Sequence, residues 1–130
     1  MMVLREAIRQ GASTGIAAVD AADELPEFLQ PDCPALIWRR NPSPCFQKWV
    51  DAFEPELIII SAGFDAHRVD PLAELNWETD DFVWLTRQIS TLADKHCDGR
   101  IVSTLEGGYD LNALAESTAA HVNILMEASA

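Results

Sequence analysis

Two short apolar runs, each ending in a loop of glycine and polar residues, limit what this chain can fold into. The first is Leu57-Ile58-Ile59-Ile60, which leads into Ser61-Ala62-Gly63-Phe64-Asp65-Ala66-His67. The second is Arg100-Ile101-Val102-Ser103-Thr104-Leu105, which leads into Glu106-Gly107-Gly108-Tyr109-Asp110. One helical pattern separates them, so the unit reads strand–helix–strand. The unbroken apolar run of the first segment suits a strand covered on both faces. A right-handed crossover makes two such strands parallel and brings both loops to one edge of the sheet. Open α/β sheets bind their ligands at that carboxyl edge. The expected fold class is therefore α/β, with Asp65, His67 and Tyr109 converging at the edge although they lie far apart in sequence.

The intervening helix is written clearly. Thr79 is placed to cap it, and Asp80 and Asp81 in its first turn suit the positive end of the helix dipole. Phe82, Leu85, Ile89, Leu92 and Ala93 form its apolar stripe, and Asp98-Gly99 supplies the stop. Asp110 can cap a last helix whose stripe is Leu111, Leu114, Ala115, Thr118, Val122 and Leu125. The first half is less regular. Val3, Leu4, Ala7 and Ile8 repeat at helical spacing, with Gly11 as a stop. Ile16, Val19, Ala22 and Leu25 fit a second helix that Pro26 ends or kinks, and 30–34 reads as loop. Ala35-Leu36-Ile37-Trp38 reads as a short strand, stopped by the turn cluster Asn41-Pro42-Ser43-Pro44. Phe46, Trp49, Val50 and Phe53 form a helical stripe closed by Pro55.

The chain has 130 residues, enough for one domain with a core. Its 9 basic against 21 acidic residues give a net charge of −12, which argues against nucleic acid or an anionic membrane surface as partner. Cys33, Cys45 and Cys97 are odd in number and lack C-x-x-C spacing, so reduced thiols are expected. The N-terminal segment carries Arg5 and Arg9 and no long apolar core, unlike a signal peptide, and no run reaches the ~20 apolar residues that span a bilayer. A cytoplasmic protein is expected.

The segment Ser61-Ala62-Gly63-Phe64-Asp65-Ala66-His67-Arg68-Val69-Asp70-Pro71-Leu72 resembles a signature loop of the zinc-dependent histone deacetylase family, closest to its class II and bacterial branches, which include acetylpolyamine amidohydrolases. Leu75, the helix start Thr79-Asp80-Asp81-Phe82, and Leu105-Glu106-Gly107-Gly108-Tyr109-Asp110-Leu111 resemble the same family in the same order. The resemblance runs from about Phe53 to Leu125. It implies an arginase/deacetylase-like fold, here a truncated, partial open parallel sheet, with 46–130 as the C-terminal portion of the domain and 1–45 as a poorly defined N-terminal segment. It makes Asp65 a carboxylate ligand of catalytic zinc and Tyr109 the donor to the acetyl carbonyl and then to the oxyanion. Gly107 and Gly108, at substrate-binding positions, let the backbone turn and present Tyr109. A hard carboxylate oxygen suits zinc, and zinc with an open position lowers the pKa of bound water towards roughly 7.

Other parts of the family pattern do not match. The family takes further zinc ligands from an upstream Asp-x-His and its base from a tandem His-His. This chain has only His67, His96 and His121, and Val69 stands where the family has an acid. One carboxylate does not hold catalytic zinc tightly, so the isolated chain is expected not to bind zinc stoichiometrically.

Each candidate also has a plainer reading. Asp65 can serve as a turn or capping residue, and Tyr109 can pack over the sheet edge. His67 reads as a hydrogen-bonding loop residue, while His96 and His121 read as surface or interface residues. A phosphate cradle at 106–110 is disfavoured by Glu106 and Asp110 and by the missing lysine.

Two functions remain in view. One is a zinc-dependent hydrolase of acetylated amines, acetyl-lysine or acetylpolyamine, whose missing ligands and base come from a complementing chain or a longer gene product. The other is a non-catalytic relative serving as a homo-oligomeric binding or structural module. In either case an uncovered edge strand or apolar face is expected to drive self-association.

Overall fold

The computed structural model describes residues 2–7, 37–38, 41–42, 44–72 and 75–128. Strand β1 (Met2–Ala7), β2 (Ile37–Trp38), β3 (Asn41–Pro42) and helix α1 (Pro44–Phe53) come first. They are followed by β4 (Ile58–Ala62), α2 (Thr79–Cys97), β5 (Ile101–Leu105) and α3 (Leu111–Ala128). β4 and β5 pair in parallel, from Ile58 opposite Ile101 to Ala62 opposite Leu105. The parallel strand–helix–strand unit expected from the two apolar runs is therefore present.

β1 lies antiparallel on the other edge of β4, with an irregularity between Leu4 and Glu6, giving the order β1-β4-β5. A helix was the expectation for Val3, Leu4 and Ala7, and this segment is a strand instead. Its apolar spacing covers too few residues to tell a helix from a strand, and the free edge of β4 offers a full set of backbone partners. Ile8, Gly11 and the helix expected over 16–25 lie outside the described residues. Ile37–Trp38 is extended as expected, and the Asn41-Pro42 turn cluster returns along it as β3 in a two-stranded antiparallel pair.

The core forms where α2 meets β4. Phe82, Leu85, Ile89, Leu92 and Ala93 are all buried, so the expected stripe of α2 is the observed one. They cluster with Ile58, Ile60, Ala62, Phe64 and Val50, the last from α1. Phe82 is the hub: its ring lies 5.1 Å from Phe64 and 5.2 Å from Trp77, between centroids.

The helix ends differ from expectation in one detail. Glu78, not Thr79, is the capping position, and its N–H donates to Asp81 Oδ2 at 2.9 Å. Thr79 is the first helical residue, and its hydroxyl meets Ser117 Oγ of α3 at 3.3 Å. At the other end Asp98 adopts the left-handed conformation and closes the helix, as the Asp98-Gly99 pair predicts.

α3 is rotated from its expected setting. Its buried face is Ala113, Ser117, His121 and Ile124, whereas Leu111, Ala115 and Val122 of the expected stripe are exposed. Small side chains at 113 and 117 permit the close approach of α3 to α2, and the hydrogen bonds of His121 fix the rotation. Of the larger apolar residues, Ile124 is buried and Leu114 packs on the core, while Leu111 and Val122 are left outside.

Candidate active-site edge

Because Ala62 pairs with Leu105 at the ends of β4 and β5, the two loops leave the sheet side by side. Their backbones continue to pair beyond the strands. Glu106 N–H donates to the Ala62 carbonyl at 3.0 Å and Phe64 N–H to the Gly107 carbonyl at 2.7 Å. This zipper brings Asp65 against the second loop. A Cβ at Gly107 would stand 3.1 Å from both Cγ and Oδ2 of Asp65, so only glycine leaves the carboxylate its present room. Gly108 has φ +132°, and a Cβ there would lie 2.8 Å from Leu114 Cδ1. The two glycines thus have separate reasons, one the approach of a carboxylate and the other a backbone turn against α3.

Tyr109 follows with its side chain turned outward; the residue is 55% exposed. Its backbone is not loose. Tyr109 N–H donates to Asp70 Oδ2 at 2.7 Å, and Asp110 N–H approaches the same oxygen at 3.4 Å. Leu72 N–H donates to Asp70 Oδ1 at 3.0 Å. Burial opposes ionisation of Asp70, but these backbone donors outweigh it and hold its carboxyl below the ordinary carboxylate value. Asp110 caps α3 through its Oδ1, which accepts from Ala113 N–H at 2.9 Å, as the sequence predicts.

The three histidines are spread apart. His67 is buried, and its Nδ1 accepts from Val69 N–H at 3.4 Å. Its Nε2 faces Glu78 at 3.9 Å and its ring stacks on Phe82, so it braces the first loop on the start of α2. The loop-residue reading holds, and of the expected trio only Asp65 and the Tyr109 loop are drawn together. His96 meets Asp51 Oδ1 at 2.7 Å beside Lys95, which reaches the same oxygen at 2.6 Å. The hydrogen bonds from Lys95 and His96 hold the Asp51 carboxyl below its ordinary value.

His121 corrects the expectation of a surface or interface residue, since it is buried between α2, α3 and β5. Its Nδ1 lies 2.8 Å from Thr86 Oγ1, and its Nε2 lies 2.9 Å from Ser103 Oγ. Thr86 donates its hydroxyl hydrogen to the Phe82 carbonyl, so towards His121 it accepts. Nδ1 therefore carries the imidazole proton, and Nε2 accepts from Ser103. Burial pushes the imidazole pKa down, favouring this neutral form.

Sequence reasoning gave Asp70 no role beyond its place in the signature segment. The signal available was the Asp-Pro pair of a tight turn, which does not reveal a partner in the second loop. Asp65 offers the hard oxygen that zinc prefers. Among the described residues, however, no three His, Cys, Asp or Glu side chains come together to hold a metal ion. These residues do not make a zinc site by themselves. Among them, too, no helix is long and apolar enough to cross a membrane.

Comparison with known proteins agrees with this edge. The Histone deacetylase domain model matches residues 34–125. Type-2 histone deacetylase 1 of Dictyostelium discoideum is 51% identical over 75 residues, which are 58% of this chain and 5% of that protein. A probable deacetylase of Archaeoglobus fulgidus is 44% identical over 62 residues, 48% of this chain and 17% of that protein. In the crystal structure of the HDA15 HD domain, 62% of this chain superposes on 22% of that chain with a TM-score of 0.53 and 32% identity. The chain thus spans a minor part of the length of each of these relatives. With the family model covering most of its residues and the paired loops in place at the sheet edge, the chain belongs to the histone deacetylase family.

Proposed function

We propose that this chain supplies one side of a deacetylase active site acting on acetylated amines, acetyl-lysine or acetylpolyamine. In this reading Asp65 gives one carboxylate to a catalytic zinc, and the Tyr109 phenol donates to the acyl oxygen of the substrate. Gly107 and Gly108 shape the substrate-facing turn between them. The remaining metal ligands and the general base come from outside the described residues. The observation that carries the reading is the placement of the Asp65 carboxylate against Gly107, two positions before an outward-facing tyrosine, at the carboxyl edge of a parallel strand pair. A phenol aimed at a developing oxyanion is worth about 10²–10³ in rate, by the measure of other oxyanion donors. Zinc affinity needs several convergent ligands, so the isolated chain is expected to bind substoichiometric zinc and to leave acetyl-lysine peptides intact.

The test is a chimera in which residues 34–125 replace the matching segment of a complete deacetylase domain. Zinc content and acetyl-lysine peptide hydrolysis are measured together. Turnover that Asp65→Ala abolishes along with zinc, and that Tyr109→Phe lowers about a hundredfold, supports the reading. Full turnover in the Asp65→Ala chimera overturns it.

A second reading, a non-catalytic oligomeric module, draws on a different observation. Val102, Leu105, Leu111 and Met126 are large apolar residues open to solvent on β5, an edge strand, and on α3, and exposed edges and apolar groups mark association sites.

A further inference from the structure

We propose that Asp70 is a positioning residue, whose carboxylate fixes the backbone at Tyr109 and so sets where the phenol stands relative to Asp65. The role rests on the reading of Tyr109 as the acyl-oxygen donor. The ladder between the two loops ends at the bond from Phe64 N–H to the Gly107 carbonyl. Asp70 Oδ2 takes over beyond that point, accepting from Tyr109 N–H at 2.7 Å with Asp110 N–H at 3.4 Å. The carboxylate is itself anchored on the first loop. Its other oxygen accepts from Leu72 N–H, and the Asp70 N–H donates to the His67 carbonyl at 2.8 Å.

The arrangement suits a charge better than a neutral acceptor. Asp70 is only 8% exposed, where hydrogen bonds to an ionised oxygen are short and strong. Its two cross-loop donors immediately precede α3, whose positive end favours a carboxylate. On the other side of Tyr109 lies Gly108, with φ +132°. Without Asp70 the tyrosine sits between a glycine and a helix cap, with its N–H released. What Asp70 holds is the origin and direction of the side chain; the ring stays free to meet a substrate.

Tyr109 is the sole tyrosine of the sequence, so the full chain labelled with ¹⁵N-tyrosine gives one amide signal, and a second sample labelled with ¹⁵N-tryptophan gives the indole signals. In Asp70→Ala the Tyr109 amide is expected to exchange with solvent roughly tenfold faster or more, and its proton shift to move upfield. The indole signals of Trp77 and Trp84, packed against the core, are expected to stay in place. Asp70→Asn keeps one neutral acceptor and is expected to give an intermediate rate. Unchanged Tyr109 exchange in Asp70→Ala overturns the proposal. So does a joint shift of the Tyr109 and indole signals in both variants, which would make Asp70 a general folding residue. The measurement needs no turnover and is therefore separate from the donor reading. If Tyr109→Phe leaves the chimera's turnover unchanged, that reading fails while the bond from Tyr109 to Asp70 stands.

Discussion

β4 and β5 are neighbouring parallel strands of equal length, and their surroundings are opposite. In β4, Ile58, Ile60, Ser61 and Ala62 are buried, between strands on both edges and the stripe of α2. In β5, everything after Ile101 is exposed, including Val102 at 52% and Leu105 at 56%. Adjoining α3 repeats the contrast, with Ala113, Ser117, His121 and Ile124 inside and Leu111 79% exposed. Backbone pairing and side-chain cover are thus set by different things. The first needs one neighbouring strand; the second needs a whole layer.

If stability resides on the β4 side, Phe82→Ala should cost the most, about 3–5 kcal/mol, as a lower urea midpoint in chemical unfolding. A loss under 1 kcal/mol would break the comparison. Gly108→Ala comes next. A Cβ 2.8 Å from Leu114 at φ +132° is expected to cost about 1–3 kcal/mol, depending on how far Leu114 gives way. The same substitution should disturb the Tyr109 amide signal.

The His121 contribution is smaller and depends on pH. Its pKa is depressed in the folded state, so the unfolded chain binds the extra proton, and stability must rise with pH. The contribution is complete above the ordinary imidazole value of about 6.5 and is lost as pH falls below it, by no more than about 1.4 kcal/mol per pH unit. Urea midpoints at neutral and mildly acidic pH measure this slope, and His121→Gln should flatten it. The smallest effect on stability belongs to the exposed side. Val102→Lys with Leu105→Lys should change unfolding by about 0.5 kcal/mol or less. In sedimentation velocity the parent chain should associate as concentration rises and the double variant should not, because charge on an edge strand opposes edge pairing. A parent chain that stays monomeric at high concentration would remove the link between exposed cover and association.

The same contrast explains what was legible in the sequence. The unbroken Leu57–Ile60 run and the Phe82–Ala93 stripe announce themselves because both are buried against each other, and their partner lies close in the chain. Both loops were legible because glycine and acidic residues follow strands at family spacing. α3 misled in part: Leu114, Thr118 and Leu125 of its apolar stripe are half-buried, but Leu111, Ala115 and Val122 are exposed, and the deepest positions include Ser117 and His121, which carry no hydrophobic signal. β1 misled because a six-residue strand owes its conformation to the β4 edge and not to its own pattern. The role of Asp70 is not legible in the sequence, because its partner, the N–H of Tyr109, is a backbone group in a distant loop, and no residue type marks that.

The Thr86–His121–Ser103 hydrogen-bond chain has a consequence for strand alignment. Side chains alternate along β5, so Ser103 shares a face with Ile101 and Leu105, while Val102 and Thr104 face the other way. A slip of β5 by one position would present Val102 or Thr104 at the His121 end of the chain and turn Ser103 away. Val102 would leave the imidazole acceptor buried and unpaired, a loss of about 1–3 kcal/mol. Because Thr86 has already committed its own hydrogen to Phe82, the imidazole cannot turn over to compensate. The three residues therefore act as a keyed pin through α2, α3 and β5, opposing the slip that brings Val102 to His121 even where the strand's outer side is bare.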